Sequence, residues 1–269
     1  LDWKLVGYYN HESLWISKKE IENKKEIIWV DLNVLPKQGK GVGGHIVSVD
    51  GYIPDGFESS CNPNILNGLT SQNFDSKFPF STLIFLMWMY NIQIPNSDFA
   101  KLLILNSDAS WLKWQHYKDN CKAWINKLGN YNWDIFFQNV DSKLFDKKID
   151  NILYPELLSI SKLKQFGKLT SKHLNIKNRE FIINPDWDED LIQLFFQMIS
   201  QHLDWSAPSL PKILKRIDGV KDKCNLSLVK KIGLNEMINK HNIFSYAITS
   251  PKIFSYTSFG KTKKRVINE

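Results

Sequence analysis

Between Ile27 and Tyr52 the chain reads IIWVDLNVLPKQGKGVGGHIVSVDGY, and no other stretch limits the fold as tightly. Ile27–Val30 is β-branched and aromatic, which favours a strand, and the run stops on Asp31. Pro36, Gly39, Gly41, Gly43 and Gly44 follow, so the backbone there must turn sharply or lie close to a neighbour. A second strand is expected over His45–Tyr52. Asp50-Gly51 and Pro54-Asp55-Gly56 read as turns.

A second apolar run, Phe99–Leu105, leads into NSDASW and Asp108. Its almost unbroken hydrophobicity predicts a strand covered on both faces. Trp111, Trp114, Tyr117, Cys121, Trp124, Ile125 and Leu128 then recur at spacings of three and four up to Gly129, which predicts a helix. Helices are also expected over Phe80–Met89, within Trp133–Leu153 and Glu156–Phe166, and from the acidic start at Asp186 to Leu203, with a short strand at Glu180–Ile183. Earlier, Trp3–Tyr9 predicts a strand and Asn10–Glu12 a turn. These elements give an α/β fold with a mixed central sheet flanked by helices over residues 1–205. Pro208 and Pro211 then introduce a smaller basic C-terminal module, residues 206–269, with a helix near Ser227–Lys240 and a hairpin across Phe244–Tyr256.

With 43% hydrophobic residues and ten Trp in 269 residues, the chain has material for a substantial core. A net charge of +7 favours a polyanionic partner, nucleic acid foremost. Three separated cysteines, Cys61, Cys121 and Cys224, form no C-x-x-C pair and no disulfide framework, which fits an intracellular compartment, cytoplasmic, nuclear or nucleoid. The most apolar stretch, Phe78–Ile94, is shorter than the roughly 20 residues of a spanning helix, so no membrane is expected.

The order of IIWVD at 27–31, GKGVGGHIVSVDGY at 39–52, LLILNSDASWLKW at 102–114 and NPDWDEDLI at 184–192 resembles the RNase H-like superfamily of ribonucleases H, integrases and transposases. The resemblance implies a metal site built from Asp31, Asp108 and one of Asp188 or Asp190, binding Mg²⁺ or Mn²⁺ and serving a phosphodiester nuclease or strand-transfer reaction. Two such ions about 3.5–4 Å apart activate the nucleophile and stabilise the leaving oxygen. Two departures stand against this pattern: Pro79–Tyr90 has no acidic residue where active ribonucleases H carry a Glu, and Glu58 lies too early to replace it. An integrase-like alternative takes Asp50 and Asp108 with Asp146, Asp150 or Glu156. A non-catalytic binding or assembly subunit, with protein partners or as a homo-oligomer, is the competing class.

Phosphate contacts are expected from Lys212, Lys215 and Arg216, from Lys230 and Lys231, and from Lys261, Lys263, Lys264 and Arg265. The GKGVGG loop either cradles phosphate with its amides or is a turn between strands. The aromatic series 111–124 either stacks bases or builds core. The six histidines form no H-x-x-x-H pair.

Overall fold

The computed structural model describes residues 3–17, 27–57, 60–137, 142–163, 174–175, 180–181 and 189–260. Its contacts divide the chain into two units: Val6–Phe78 with Pro211–Glu269, and Leu1–Leu5 with Pro79–Leu210. Where sequence alone put the division at 205/206, the segment after residue 211 shares a unit with residues 6–78. The fold is mixed α/β, with a curled antiparallel sheet.

In the first unit, β1 (Gly7–Tyr9) and β2 (Ser13–Ile16) form a hairpin. Asn10 makes its turn, its side-chain oxygen accepting from the amides of Glu12 and Ser13. β3 (Ile28–Val30) and β4 (Lys40–Val42) pair in parallel, apart from the main sheet, and a short helix, α1 (Pro63–Leu66), follows.

The second unit is mostly helical. It holds α2 (Thr82–Met89), α3 (Asp98–Asn106), α4 (Ser110–His116), α5 (Lys118–Leu128), α6 (Trp133–Phe137), α7 (Ser142–Lys148), a π-helical turn at Ile149–Leu153, and α8 (Tyr154–Leu163). A two-residue pairing of β5 (Leu174–Asn175) with β6 (Glu180–Phe181) and the helix α9 (Glu189–Leu203) complete it. Phe85, Trp111, Phe136 and Phe195 are fully buried in this unit.

The chain then returns to the first unit with β7 (Lys215–Asn225), α10 (Leu226–Ile232), α11 (Leu234–His241), β8 (Ile243–Ser250) and β9 (Ile253–Phe259). The sheet runs β1-β2-β7-β9-β8 and is antiparallel throughout; among the described residues, parallel pairing occurs outside it, between β3 and β4 and at the isolated bridge from Val42 to Cys61. One face carries Phe254, Tyr256 and Cys224, packed with Val229, Leu234, Met237 and Ile238 of α10 and α11. Leu14, Leu32, Val34 and Phe244 form a smaller cluster, with Tyr9, Trp29, Ile217 and Phe259 against it.

Three local readings are corrected. Phe99–Leu105 is helix α3 and not a strand: Ser97 caps it by accepting from the Ala100 amide at 3.1 Å, and Asp98 complements the dipole. Its continuous apolar run reflects burial of Leu102, Ile104 and Leu105 on more than one side, which periodicity cannot distinguish from a strand. His45–Tyr52 is not a continuous strand; it makes isolated bridges from Ile46 to Ile248 and from Val49 to Tyr52. Between the latter, Asp50 (φ 51°) and Gly51 (φ 96°) form the tight turn expected of them. Finally, the basic stretch after Pro211 is no separator, because Lys215–Asn225 is the long strand that joins β2 to β9.

Among the described residues, no helix is long and apolar enough to cross a membrane.

Candidate functional site

Alternation along β7 sorts its charges. Side chains of Lys215, Ile217, Gly219, Lys221, Lys223 and Asn225 point to one face, and those of Arg216, Asp218, Val220, Asp222 and Cys224 to the other. Both acidic residues of the strand therefore leave the lysine face, and both are engaged. Asp218 accepts from the Ser13 hydroxyl at 2.7 Å and from Arg216 at 2.7 Å, contacts that hold its carboxyl below the usual range. Asp222 accepts from the Tyr256 hydroxyl at 3.2 Å, and the same hydroxyl lies 3.3 Å from His241 Nδ1. Burial, reinforced by Asp222, pushes the Tyr256 phenol well up, which makes it a structural donor.

On the lysine face, Lys221 stands directly opposite Thr257 of β9, which is opposite Ser245 of β8. The Tyr9 hydroxyl reaches Thr257 Oγ1 at 2.8 Å and Ser245 Oγ at 3.4 Å. Thr257 in turn donates to the backbone carbonyl of His11 at 2.7 Å. His11 sits at the tip of the β1–β2 turn with φ 68°, a left-handed conformation that costs most side chains about 1–2 kcal/mol. Its ring lies edge-on to Tyr9 with centroids 5.2 Å apart.

Asp31 and His45 stand on two loops of the same unit. Asp31 follows β3 with φ 63°, its amide donating to the Val42 carbonyl at 2.7 Å. His45 follows the glycine loop, and Asn62 Nδ2 donates to its carbonyl at 2.8 Å. His11 is solvent-exposed as a residue, and its imidazole is partly desolvated. That loss of hydration lowers its pKa first, and the charges of Lys221 and His45 act the same way. Asp31 opposes the shift. His11 and Lys221 meet the same Thr257, His11 through its carbonyl and Lys221 as the cross-strand neighbour.

The glycine loop has a packing role in this arrangement. A Cβ on Gly41 would lie 2.8 Å from the Leu32 carbonyl, and one on Gly43 2.9 Å from Asn33 Oδ1. Only glycine lets the two segments approach that closely. Buried Asn62 and Asn64 hold them: Asn62 donates to Asn33 Oδ1 at 3.0 Å, and Asn64 donates to the Gly44 carbonyl at 2.7 Å.

Of the carboxylates expected to bind metal, Asp31 belongs to the first unit, Asp108 and Asp190 to the second, and Asp188 lies outside the described residues. Asp108 stands not at a strand end but at the joint of α3 and α4, where it and Ala109 are both left-handed (φ 50° and 49°). Among the described residues, no three His, Cys, Asp or Glu side chains are grouped to hold a metal ion. Asp50, the alternative first ligand, accepts from Lys230 at 2.7 Å and from Ser71 at 2.8 Å, and the Lys230 contact leads in depressing its pKa.

Lys212, Lys215, Arg216, Lys230 and Lys231 are exposed, but they do not share one surface. Arg216 lies over the Trp15 ring at 5.2 Å, and Lys230 and Lys231 ride on α10, which packs on the sheet face opposite Lys221. Lys261, Lys263, Lys264 and Arg265 lie outside the described residues. Of the aromatic series, Trp111 and Trp124 are buried and Trp114 stacks on Phe137 at 4.3 Å, so core packing accounts for these three, while Tyr117 is exposed. Cys121 is buried too, which pushes its thiol up to about 12.

Sequence reading missed the meeting of Tyr9, His11, Thr257 and Lys221, which lie on different elements that only strand pairing brings together. The one local signal was the alternation of lysine and aspartate within KRIDGVKDK.

No protein-family model matches the chain, and neither a curated protein nor a solved structure matches it.

Proposed function

We propose that the chain binds nucleic acid through the lysine face of β7. The observation that carries this reading is the sorting of charge along that strand. Lys215, Lys221 and Lys223 share one face, while Asp218 and Asp222 point to the other and are held there by Ser13, Arg216 and Tyr256. A strand with near-balanced composition thereby presents cations alone. Beside them stand the hydroxyls of Ser255 and Thr249, hydrogen-bonded to each other at 3.0 Å and suited as further phosphate partners. The net charge of +7 supplies long-range attraction for the same ligand.

The test is fluorescence anisotropy with single-stranded oligonucleotides across a salt series. Counterion release gives log K against log salt a slope of about −0.7 per neutralised phosphate on single strands. The double substitution Lys221→Gln and Lys223→Gln is expected to flatten that slope by about 1.4, two such contacts. Binding that is absent, or whose salt dependence the double variant leaves unchanged, refutes the assignment of this face.

A further inference from the structure

We propose that the open edge of β7 over residues 220–225 takes an added antiparallel strand from a partner protein, an extended segment with acidic side chains at alternate positions. This inference goes beyond the nucleic-acid reading, because it concerns the backbone of β7 as well as its lysines.

Backbone pairing fixes which side of β7 is open. Between antiparallel strands, hydrogen-bonded and non-bonded residue pairs alternate, so successive residues send their N–H and C=O groups to opposite sides. Gly219 donates to the Glu12 carbonyl at 2.6 Å, which directs the odd-numbered residues of β7 toward β2. Leu226, just past the strand, donates to the Lys252 carbonyl at 2.8 Å, so the even-numbered residues face β9. β9 accompanies β7 to Asn225, whereas the register with β2 ends at Asp218. Lys221 and Lys223 therefore aim their backbone groups to a side where, among the described residues, no strand pairs with them. The Lys223 amide bears this out: it donates to Asp222 Oδ1 at 2.8 Å, a neighbouring side chain in place of a strand carbonyl. Lys221, Asp222 and Lys223 are all exposed, and the open stretch is about 20 Å long at about 3.3 Å per residue.

The groups on this edge select the occupant. They offer donors and acceptors in alternation, which a peptide strand matches with its own. Phosphate oxygens accept but do not donate, so they leave the Lys221 and Lys223 carbonyls unmatched. Side chains directly across from Lys221 and Lys223 share their face of the sheet, and acidic ones complement both ammonium groups. The positions between them fall on the face of Val220 and Cys224, both half-buried, and suit apolar side chains. A second copy of this edge does not fit. Pairing the stretch antiparallel with itself sets lysine against lysine, the arrangement by which edge strands discourage self-association. An acidic strand meets the same lysines with attraction.

The probe is a fluorescent octapeptide of alternating Glu and Val, titrated with the full chain and followed by anisotropy. In antiparallel pairing its Glu amides point at β7 and its Val amides point away. N-methylation of the Glu amides should therefore abolish binding, and N-methylation of the Val amides should leave it. A peptide of the same composition with all Glu before all Val should bind more weakly than the alternating one. Lys221→Gln removes a charge and keeps the amide, and should weaken binding about two- to fivefold. Lys221→Pro also removes the outward N–H, a change that edge positions tolerate, and should weaken binding about five- to tenfold further. Melting by circular dichroism confirms that both variants are folded. No binding of the alternating peptide overturns the proposal, as does equal binding of the block peptide or of the peptide methylated at Glu. Self-association of the chain that Lys221→Pro disperses, read by light scattering, assigns the edge to a second copy and overturns it as well. A single-stranded oligonucleotide titrated in parallel separates the two readings. Oligonucleotide binding without peptide binding overturns this proposal alone, and peptide binding without oligonucleotide binding overturns the nucleic-acid reading alone.

Discussion

Asn62→Ala tests how the His45 side of the site is held. Asn62 is fully buried and makes three hydrogen bonds. It donates to Asn33 Oδ1 at 3.0 Å and to the His45 carbonyl at 2.8 Å, and it accepts from the Asn64 amide at 2.9 Å as the cap of α1. Truncation strands all three partners. The His45 carbonyl belongs to a half-exposed residue, so water can replace its lost donor. Asn33 Oδ1 and the Asn64 amide are buried, and each orphaned group costs about 1–3 kcal/mol. The expected loss is therefore about 2–6 kcal/mol, centred near 4 kcal/mol. The control is Asn67→Ala, which removes one bond to the Pro63 carbonyl from a half-exposed residue and should cost about 1 kcal/mol. Urea unfolding followed by far-ultraviolet circular dichroism measures both. A midpoint for Asn62→Ala no lower than that of Asn67→Ala refutes the claim that this amide pins the loops.

Other consequences are as direct. Gly219→Ala places a Cβ 2.6 Å from the Phe259 ring and 2.7 Å from the Ser258 carbonyl, so it should destabilise the chain by about 1–3 kcal/mol in urea unfolding. The Asp50 carboxyl is depressed chiefly by Lys230, so that pair's contribution is complete above the ordinary Asp range and fades as pH falls through the lowered value. Both partners are more than a third exposed, which limits the effect to about 0.5 kcal/mol, and Lys230→Ala should flatten the acid limb of the stability curve by that amount. Asp108→Asn should leave nucleic-acid binding unchanged, because Asp108 belongs to the other unit; calorimetric Mg²⁺ or Mn²⁺ binding that the substitution abolishes would instead support the carboxylate route implied by the RNase H-like resemblance. Native Cys121 should resist a thiol reagent that modifies it after unfolding, since burial holds its pKa near 12.

What could be read locally was read. The β8–β9 hairpin, the helical stretch that precedes it but not its break at Gly233, the turn at Asn10–Glu12 and Asp31 at a strand end all follow from short-range patterning. Phe99–Leu105 defeated that approach because a helix buried on several sides loses its periodic signature. The site failed for a different reason. Tyr9, His11, Thr257 and Lys221 belong to separate elements, and their meeting depends on which strands pair. No spacing rule reports that pairing. The basic residues misled in a third way: counting them along the chain ignores the strand alternation that sends Arg216 and Lys221 to opposite faces.

The pairing of β2 with β7 also sets a timetable for synthesis. The Ser13 hydroxyl waits for an Asp218 that lies 205 residues later. At roughly 5–20 residues per second, that interval lasts about 10–40 s on the ribosome. The β1–β2 hairpin spends it as a naked edge, a template for wrong strand partners. Most of the helical unit emerges during the same interval, free to fold first. Any pause between residues 17 and 215 should therefore raise aggregation of nascent chains, because it lengthens the time that edge stays unpaired.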